Sequence, residues 1–436
     1  MVRQENAVAF DCGVQTASLT NVGMRRSVNQ DSYVLIVADT AELWQQRGHF
    51  LMVADGMGAH AAGELASKMA VENTPYLYNK YLDLSPPEAL ERAIRESNTQ
   101  IHSRGSANTD FHGMGTTASA LVLLPQGALC AHVGDSRIYR LRGSQLNQLS
   151  FDHSLQWELR ASGQLSEGSE LAAAVPKNVI TRSLGPNANV QIDLEGPHPI
   201  EVGDVFLLCS DGLTGRVEDH ELGTIMGCLP PHEAVKVLVD LANLRGGPDN
   251  ITVLIAKIIK PDAATATNQA PPLVLGGKKD LKPVNPIIWI VAGVCALAAL
   301  LLPLKGLYIF AGVSVLAAVI TVIVGLVKLF SGYSKGTQLS GNRRLGKGPY
   351  TATPCGPTPA FFAKIQQTAA ELKQVALDGN YNVDWAEYDE LQRKALAAQQ
   401  ANPVDAVRQL CKSITFLMNE LRTQHNRKAS DSEIKL

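Results

Sequence analysis

Two nearly uninterrupted apolar runs, Ile287–Leu304 and Leu307–Leu329, constrain this 436-residue chain more than any other feature; the only charges across them are Lys305 in the joint and Lys328 near the end. At 1.5 Å per residue the second run is long enough to cross hydrocarbon, while the first, at about 16 to 18 residues, is marginal. Pro303, Lys305 and Gly306 predict a tight joint, so the pair reads as a helical hairpin that crosses a membrane and returns; a buried core hairpin is the alternative. Lys278, Lys279 and Lys282 precede it and Lys335, Arg343, Arg344 and Lys347 follow it. The positive-inside bias then places both flanks in the cytoplasm, as in a multi-pass protein of the cell membrane. The opening MVRQENAVAF lacks the pattern of a secretory signal. The expected organisation is a folded domain over 8–260, a linker over 261–285, two transmembrane helices within 286–330, a basic flexible juxtamembrane segment over 331–357, a helical domain over 358–425 and a polar tail over 426–436.

Residues 8–260 are patterned differently, as short apolar runs broken by Gly, Asn, Asp and Pro between longer mixed stretches. Strands are predicted at Phe50–Ala54, Thr117–Leu124, Ala128–Val133, Arg137–Leu141, Gln145–Leu149, Val205–Cys209 and Ile251–Ile258. The separators Pro125-Gln126-Gly127, Gly134-Asp135-Ser136 and Arg142-Gly143-Ser144 are of hairpin length, so Thr117 to Leu149 reads as an antiparallel meander. Helices are predicted at about 62–80, 86–104, 154–162 and 231–245, the second opened by the capping-box spacing Ser85-Pro86-Pro87-Glu88. Such a mixture implies an α+β domain layered on antiparallel sheet. Thirty-nine Lys and Arg against 41 Asp and Glu leave a formal charge of −2, without the basic field that holds nucleic acid. The seven cysteines include no C-x-x-C pair, which argues against a disulfide framework or structural zinc and fits a reducing compartment.

The chemistry is concentrated in Asp31, Asp55, Asp135, Asp211 and Asp249, each at a strand edge or in a turn. Taken singly, each is an ordinary turn aspartate. Brought together, three or four such charges could not share a partly buried pocket without cations, and an all-oxygen ligand set selects Mg²⁺ or Mn²⁺.

The ordered series Arg26-Ser27-Val28-Asn29-Gln30-Asp31, Val53-Ala54-Asp55-Gly56-Met57-Gly58-Ala59-His60, Gly113-Met114-Gly115-Thr116-Thr117 and Val133-Gly134-Asp135-Ser136 resembles the metal-dependent protein phosphatase family, PP2C or PPM type, in its bacterial form. Asp152-His153-Ser154, Ile180-Thr181-Arg182-Ser183-Leu184-Gly185, Ser210-Asp211-Gly212 and Pro248-Asp249-Asn250-Ile251-Thr252 continue it in order, so the resemblance spans about residues 15–258. It implies a four-layer αββα sandwich of two antiparallel sheets that hydrolyses phosphoserine and phosphothreonine in proteins by direct attack of a metal-bridging water. It also implies two Mn²⁺ or Mg²⁺ ions per active site and a third, weaker one. Carried over, Asp55 bridges the two ions, Gly56 lends a carbonyl, and Asp211 and Asp249 complete the second. Asp31 holds metal-bound water, and Asp135 with Asp211 forms the third site. Arg26 grips the substrate phosphate, and His60 is the candidate general acid. The implied partners are phosphorylated Ser/Thr proteins, among them a bacterial Ser/Thr kinase or its substrates.

The sequence departs from that pattern at Gln30, where many members carry glutamate, at Met57, where eukaryotic members keep a histidine, and at Ala59, which replaces a glycine. These departures leave open a catalytically silent scaffold acting through the C-terminal helices. There, Val407, Leu410, Ile414, Leu417 and Leu421 recur at three and four, an apolar face that suits oligomerisation, docking or intramolecular packing. Leu155–Val179 corresponds to the family's flap. His153 reads as structural and Cys209 as a core thiol. Gly341–Gly348 falls short of a P-loop because Gly348 stands where Ser or Thr is required.

Overall fold

The computed structural model describes residues 11, 13–58, 61–165, 175–176, 179–265, 270–275, 286–330, 337–339 and 344–433. One antiparallel sheet runs in the order β2 (Asp31–Ile36), β3 (His49–Met57), β5 (Ala118–Leu124), β6 (Gly127–Val133) and β9 (Asp193–His198), with β4 (Gly115–Thr116) paired to the end of β3. The other runs β1 (Val14–Asn21), β11 (Ile251–Ile258), β10 (Val205–Cys209), β7 (Arg137–Arg142), β8 (Gln145–Gln148) and β14 (Thr351–Pro354).

Side chains alternate along each strand, and that alternation decides which layer they serve. On β3, Leu51 and Val53 enter the core between the sheets, while Phe50, Met52 and Ala54 face the helices Ala62–Lys80 and Pro86–Ala107. On β10, Phe206 and Leu208 meet Leu51 and Val53 between the sheets, and Val205, Leu207 and Cys209 face the helices Asp219–Cys228 and Pro231–Leu244. The central strands are therefore apolar on both faces, as a layer buried on two sides requires.

The meander predicted from Thr117 to Leu149 is not formed. β5 pairs with β6 and β7 with β8, but β6 and β7 lie in different sheets, and Gly134-Asp135-Ser136 carries the chain across. A three-residue separator does not by itself say whether its strands pair or part. Here Gly134 adopts φ 114°, and a Cβ on it would come within 2.6 Å of Thr117, so only glycine makes the crossing. The strands β1, β2, β9 and β14 escape sequence patterning, since runs such as VQTASLTN carry few large apolar residues.

The C-terminal helices Pro359–Asp378, Trp385–Ala398 and Pro403–Glu433 pack on the outside of the second sheet's helical layer. Phe361, Phe362, Ile365, Val407, Leu410, Ile414 and Leu417 belong to the same apolar core as Leu222, Ile225, Val235 and Leu238. Of the three uses read for that face, oligomerisation, docking and intramolecular packing, the fold makes the last. Arg408 reaches Glu233 at 2.7 and 2.8 Å, and Arg422 reaches Asp240 at 2.8 Å. The last helix continues to Glu433, through the start of the expected polar tail.

The segment predicted to be a flexible juxtamembrane stretch is pinned where it is described. Leu345 and Gly196 exchange backbone hydrogen bonds at 2.6 and 3.1 Å, and β14 extends the second sheet beyond β8. Buried Glu195 accepts from the backbone N–H groups of Lys347 (3.3 Å) and Gly348 (2.9 Å) and from the Tyr350 hydroxyl. Upstream, β12 (Leu273–Leu275) pairs with β13 (Thr337–Leu339).

Between those two strands lie the apolar helices Pro286–Leu301 and Tyr308–Phe330, joined by a 3₁₀ turn, Leu302–Lys305, and Gly306 at φ 74°. They pack side by side, with Gly325 facing the Trp289 ring. Among the described residues one stretch, Tyr308–Gly325 with mean hydropathy 2.4, is long and apolar enough to cross a membrane; its partner is shorter.

Candidate functional site

The aspartates meet at one end of the sandwich, where the two sheets come together. Asp31 opens β2 and pairs in register with Asp55 near the end of β3. Asp135 sits in the turn that crosses between sheets, Asp211 follows β10 at the start of a short helix, and Asp249 precedes β11. Arg26, Asp55, Gly56, Asp135, Asp211 and Asp249 all line one cavity of about 220 Å³, with Asp31 buried behind Asp55. Seven of the eight residues expected from the sequence are thus brought together. The eighth, His60, lies outside the described residues, as does Ala59.

Hydrogen bonds fix the segments that carry these aspartates. Asp31 Oδ2 accepts from Ser210 Oγ and Thr252 Oγ1, both at 2.7 Å, while its Oδ1 is buried without a partner. Asp55 donates its N–H to Thr117 Oγ1 at 2.8 Å and accepts from Thr117 N and Thr116 Oγ1 at its carbonyl, both at 2.9 Å. Asn250 Nδ2 donates to the carbonyls of Val22 and Val28 at 3.0 Å and its Oδ1 accepts from Gln30 N at 2.9 Å, stapling the loop that carries Arg26. His153 accepts at Nδ1 from Gly134 N (3.0 Å) and pairs through Nε2 with Asp193 (2.9 Å). Its role is to fix the turn beneath Asp135. Gly56 is required by close approach, because a Cβ there would lie 2.1 Å from the Gly63 carbonyl.

Electrostatics oppose this arrangement. Burial, reinforced by the neighbouring aspartates, raises the Asp31 carboxyl to about 6 and Asp135 to about 8, and pushes Asp55 and Asp211 upward as well. Asp135 Oδ1, like Asp31 Oδ1, is a buried acceptor with no donor. At the rim, Arg26 forks onto Asp249, Nε to Oδ1 and Nη2 to Oδ2, each at 2.9 Å. Among the described residues no three His, Cys, Asp or Glu side chains already converge as a chelating set around one point. The donor set nevertheless suits hard divalent cations: it is all oxygen, crowded with negative charge, and carries two unsatisfied acceptors.

Sequence reading passed over Ser210, Thr252, Asn250 and Thr117 as site residues. Each stands within three residues of an aspartate or in the Gly-Thr-Thr motif, a signal that ranks below a carboxylate only because a hydroxyl or amide offers no charge. Cys209 is a fully buried thiol whose ionisation is disfavoured by burial, as its place in an apolar strand implies.

The Protein phosphatase 2C family profile matches residues 24–238. Protein phosphatase PhpP of Streptococcus pneumoniae is 37% identical over 254 residues, which cover 57% of this chain and 100% of that protein. The serine/threonine phosphatase stp of Listeria welshimeri is 39% identical over 213 residues, 48% of this chain and 83% of that protein. Among solved structures, the serine/threonine phosphatase PstP/Ppp of Mycobacterium tuberculosis aligns with 31% identity over 57% of this chain and 99% of that chain, with a TM-score of 0.49.

Proposed function

This chain belongs to the protein phosphatase 2C family and is a protein-serine/threonine phosphatase, and we propose that Asp55, Gly56, Asp211 and Asp249 hold its divalent cations, with Asp31 and Asp135 serving the same centre. The observation that carries this reading is the pair of buried, unsatisfied carboxylate oxygens on Asp31 and Asp135 inside a cluster of mutually repelling aspartates. Mn²⁺ or Mg²⁺ bound there supplies Lewis-acid activation of water and offsets phosphoryl charge. The chain's own residues do the rest. Asp31, its Oδ2 tied by Ser210 and Thr252, presents Oδ1 to orient the attacking water. Arg26 offers a planar fork of donors at the rim, the geometry that grips a phosphate through two oxygens. Its present partner, Asp249, keeps that fork aimed across the mouth of the site.

The test uses the full chain in detergent, with p-nitrophenyl phosphate and a phosphothreonine peptide, in Mn²⁺, Mg²⁺ or EDTA, beside Asp211→Ala. Hydrolysis that needs the cation and disappears in the variant is the expected result. A folded protein inert with both cations overturns it.

The apolar helices extend the reading to location. The Tyr308–Phe330 helix and its shorter partner anchor the enzyme in a membrane with both flanks on the cytoplasmic side, where the confinement concentrates it near membrane-associated phosphoproteins and the kinase that makes them. Deleting residues 286–330 is expected to move activity from the membrane to the soluble fraction. Retention of the deleted form in washed membranes counts against the anchor.

A further inference from the structure

The strap that follows the apolar helices does more than seal an edge. Tyr350 lays its ring edge-on against Phe151, with centroids 5.3 Å apart, and Phe151 in turn meets Trp157 edge-on at 5.9 Å. Trp157 lies on the Leu155–Ala161 helix beside the site, its ring covered by Arg137, which pairs with Asp152 at 2.7 Å. These rings line a second, open cavity of about 450 Å³, together with Arg160, Ala161 and Leu165. It adjoins the candidate site. Trp157 and Arg160 also line a groove of about 540 Å³ that contains Arg26, Asp135, Asp211 and Asp249.

We propose that this cavity is a substrate subsite that takes an apolar side chain of the phosphoprotein, leucine or larger, flanking the phosphorylated residue, and that Tyr350 determines that preference. The inference rests on the phosphatase reading above. Three observations carry it. The lining is aromatic and aliphatic apart from Arg160 and Thr351, so a cationic side chain would lose its hydration there and meet a like charge. The wall is rigid before any substrate arrives, because Tyr350 N donates to the Gln148 carbonyl at 2.8 Å, its hydroxyl is held by Glu195, and β14 follows immediately in register with β8. Trp157 and Arg160 form a wall common to the cavity and the groove, so the cavity lies beside the site where a residue flanking the phosphorylated one would fall. Tyr350 also lies outside the matched residues 24–238, so the subsite is a property of this longer chain.

The experiment compares phosphothreonine peptides in which leucine, lysine or alanine is placed in turn at each flanking position, using the full chain, Tyr350→Ala, Tyr350→Phe and Ala161→Phe, with p-nitrophenyl phosphate as the control. The unmodified chain should favour leucine over lysine at one position by about 10-fold in kcat/KM. Tyr350→Phe keeps the ring and should keep the preference. Tyr350→Ala removes the wall and Ala161→Phe fills the space while leaving the strap's bonds intact, so both should lose the preference with p-nitrophenyl phosphate turnover unchanged. A chain with no positional preference, or a preference that survives both Tyr350→Ala and Ala161→Phe, overturns the subsite while the phosphatase reading stands. A chain inert toward p-nitrophenyl phosphate overturns both.

Discussion

Asp31, Asp55, Asp135 and Asp211 are held together against both burial and their mutual repulsion. Without cations such a cluster lowers stability, and removing one charge should relieve it. Asp211→Asn is therefore expected to raise the metal-free protein's stability by about 1–2 kcal/mol while abolishing hydrolysis, which thermal melts in EDTA beside an activity assay would read. Glu221 illustrates the opposite case. Burial alone would raise its carboxyl, but Arg245 at 2.6 and 2.7 Å, the Glu218 N–H at 3.0 Å and Lys364 at 3.1 Å hold it from an ordinary 4.5 down to about 2. A folded-state value below the unfolded one contributes stability above pH 4.5 that is lost as pH falls toward 2. Glu221→Gln should cost about 2 kcal/mol at pH 7, discounting for the water that reaches its partners, and flatten the acid limb of a urea-denaturation series. The aspartates of the proposed metal centre are legible because their motifs are contiguous in sequence. Ser210 and Thr252 are not, because nothing in a single sequence says which hydroxyl points at Asp31.

Among the elements, strands buried on both faces announce themselves: Leu207 and Leu208 serve opposite cores yet both demand apolar side chains. Strand β1 does not, since its short side chains pair with β11 at the margin of the sheet. β14 is beyond local patterning altogether, because its pairing with β8 spans some two hundred residues of chain. The last helix offers a test of how burial weights an ion pair. Arg408 serves Glu233, whose side chain is 18% exposed, whereas Arg422 serves Asp240, only 4% exposed. Removing the first partner leaves Glu233 in reach of water and still beside Lys412 at 3.4 Å, while removing the second strands a carboxylate in the interior. Arg422→Ala should cost about 2 kcal/mol and Arg408→Ala about 1 kcal/mol or less in urea denaturation. Equal costs would show that Asp240 finds water when Arg422 is lost.

At the scale of the whole molecule, the sandwich carries a fifth layer. Phe361, Ile365, Leu410 and Ile414 complete the core that Leu222, Ile225 and Leu238 begin, so ending the chain after Lys260 uncovers apolar surface that water must then solvate. Such a truncated protein should unfold at least about 10 °C below the full chain or precipitate, by thermal circular dichroism. Supplying residues 344–433 as a separate chain should recover part of the loss, and an unchanged melting temperature would show that the outer helices are dispensable. The return of the chain as β14 also governs its fate under proteolysis. A cut between Thr265 and Pro286 severs the covalent link from the catalytic strands to the apolar helices, yet the β8–β14 ladder, the Glu195 clasp and the shared core remain. The nicked halves should therefore sediment together, so that a single cleavage marks the enzyme without shedding it.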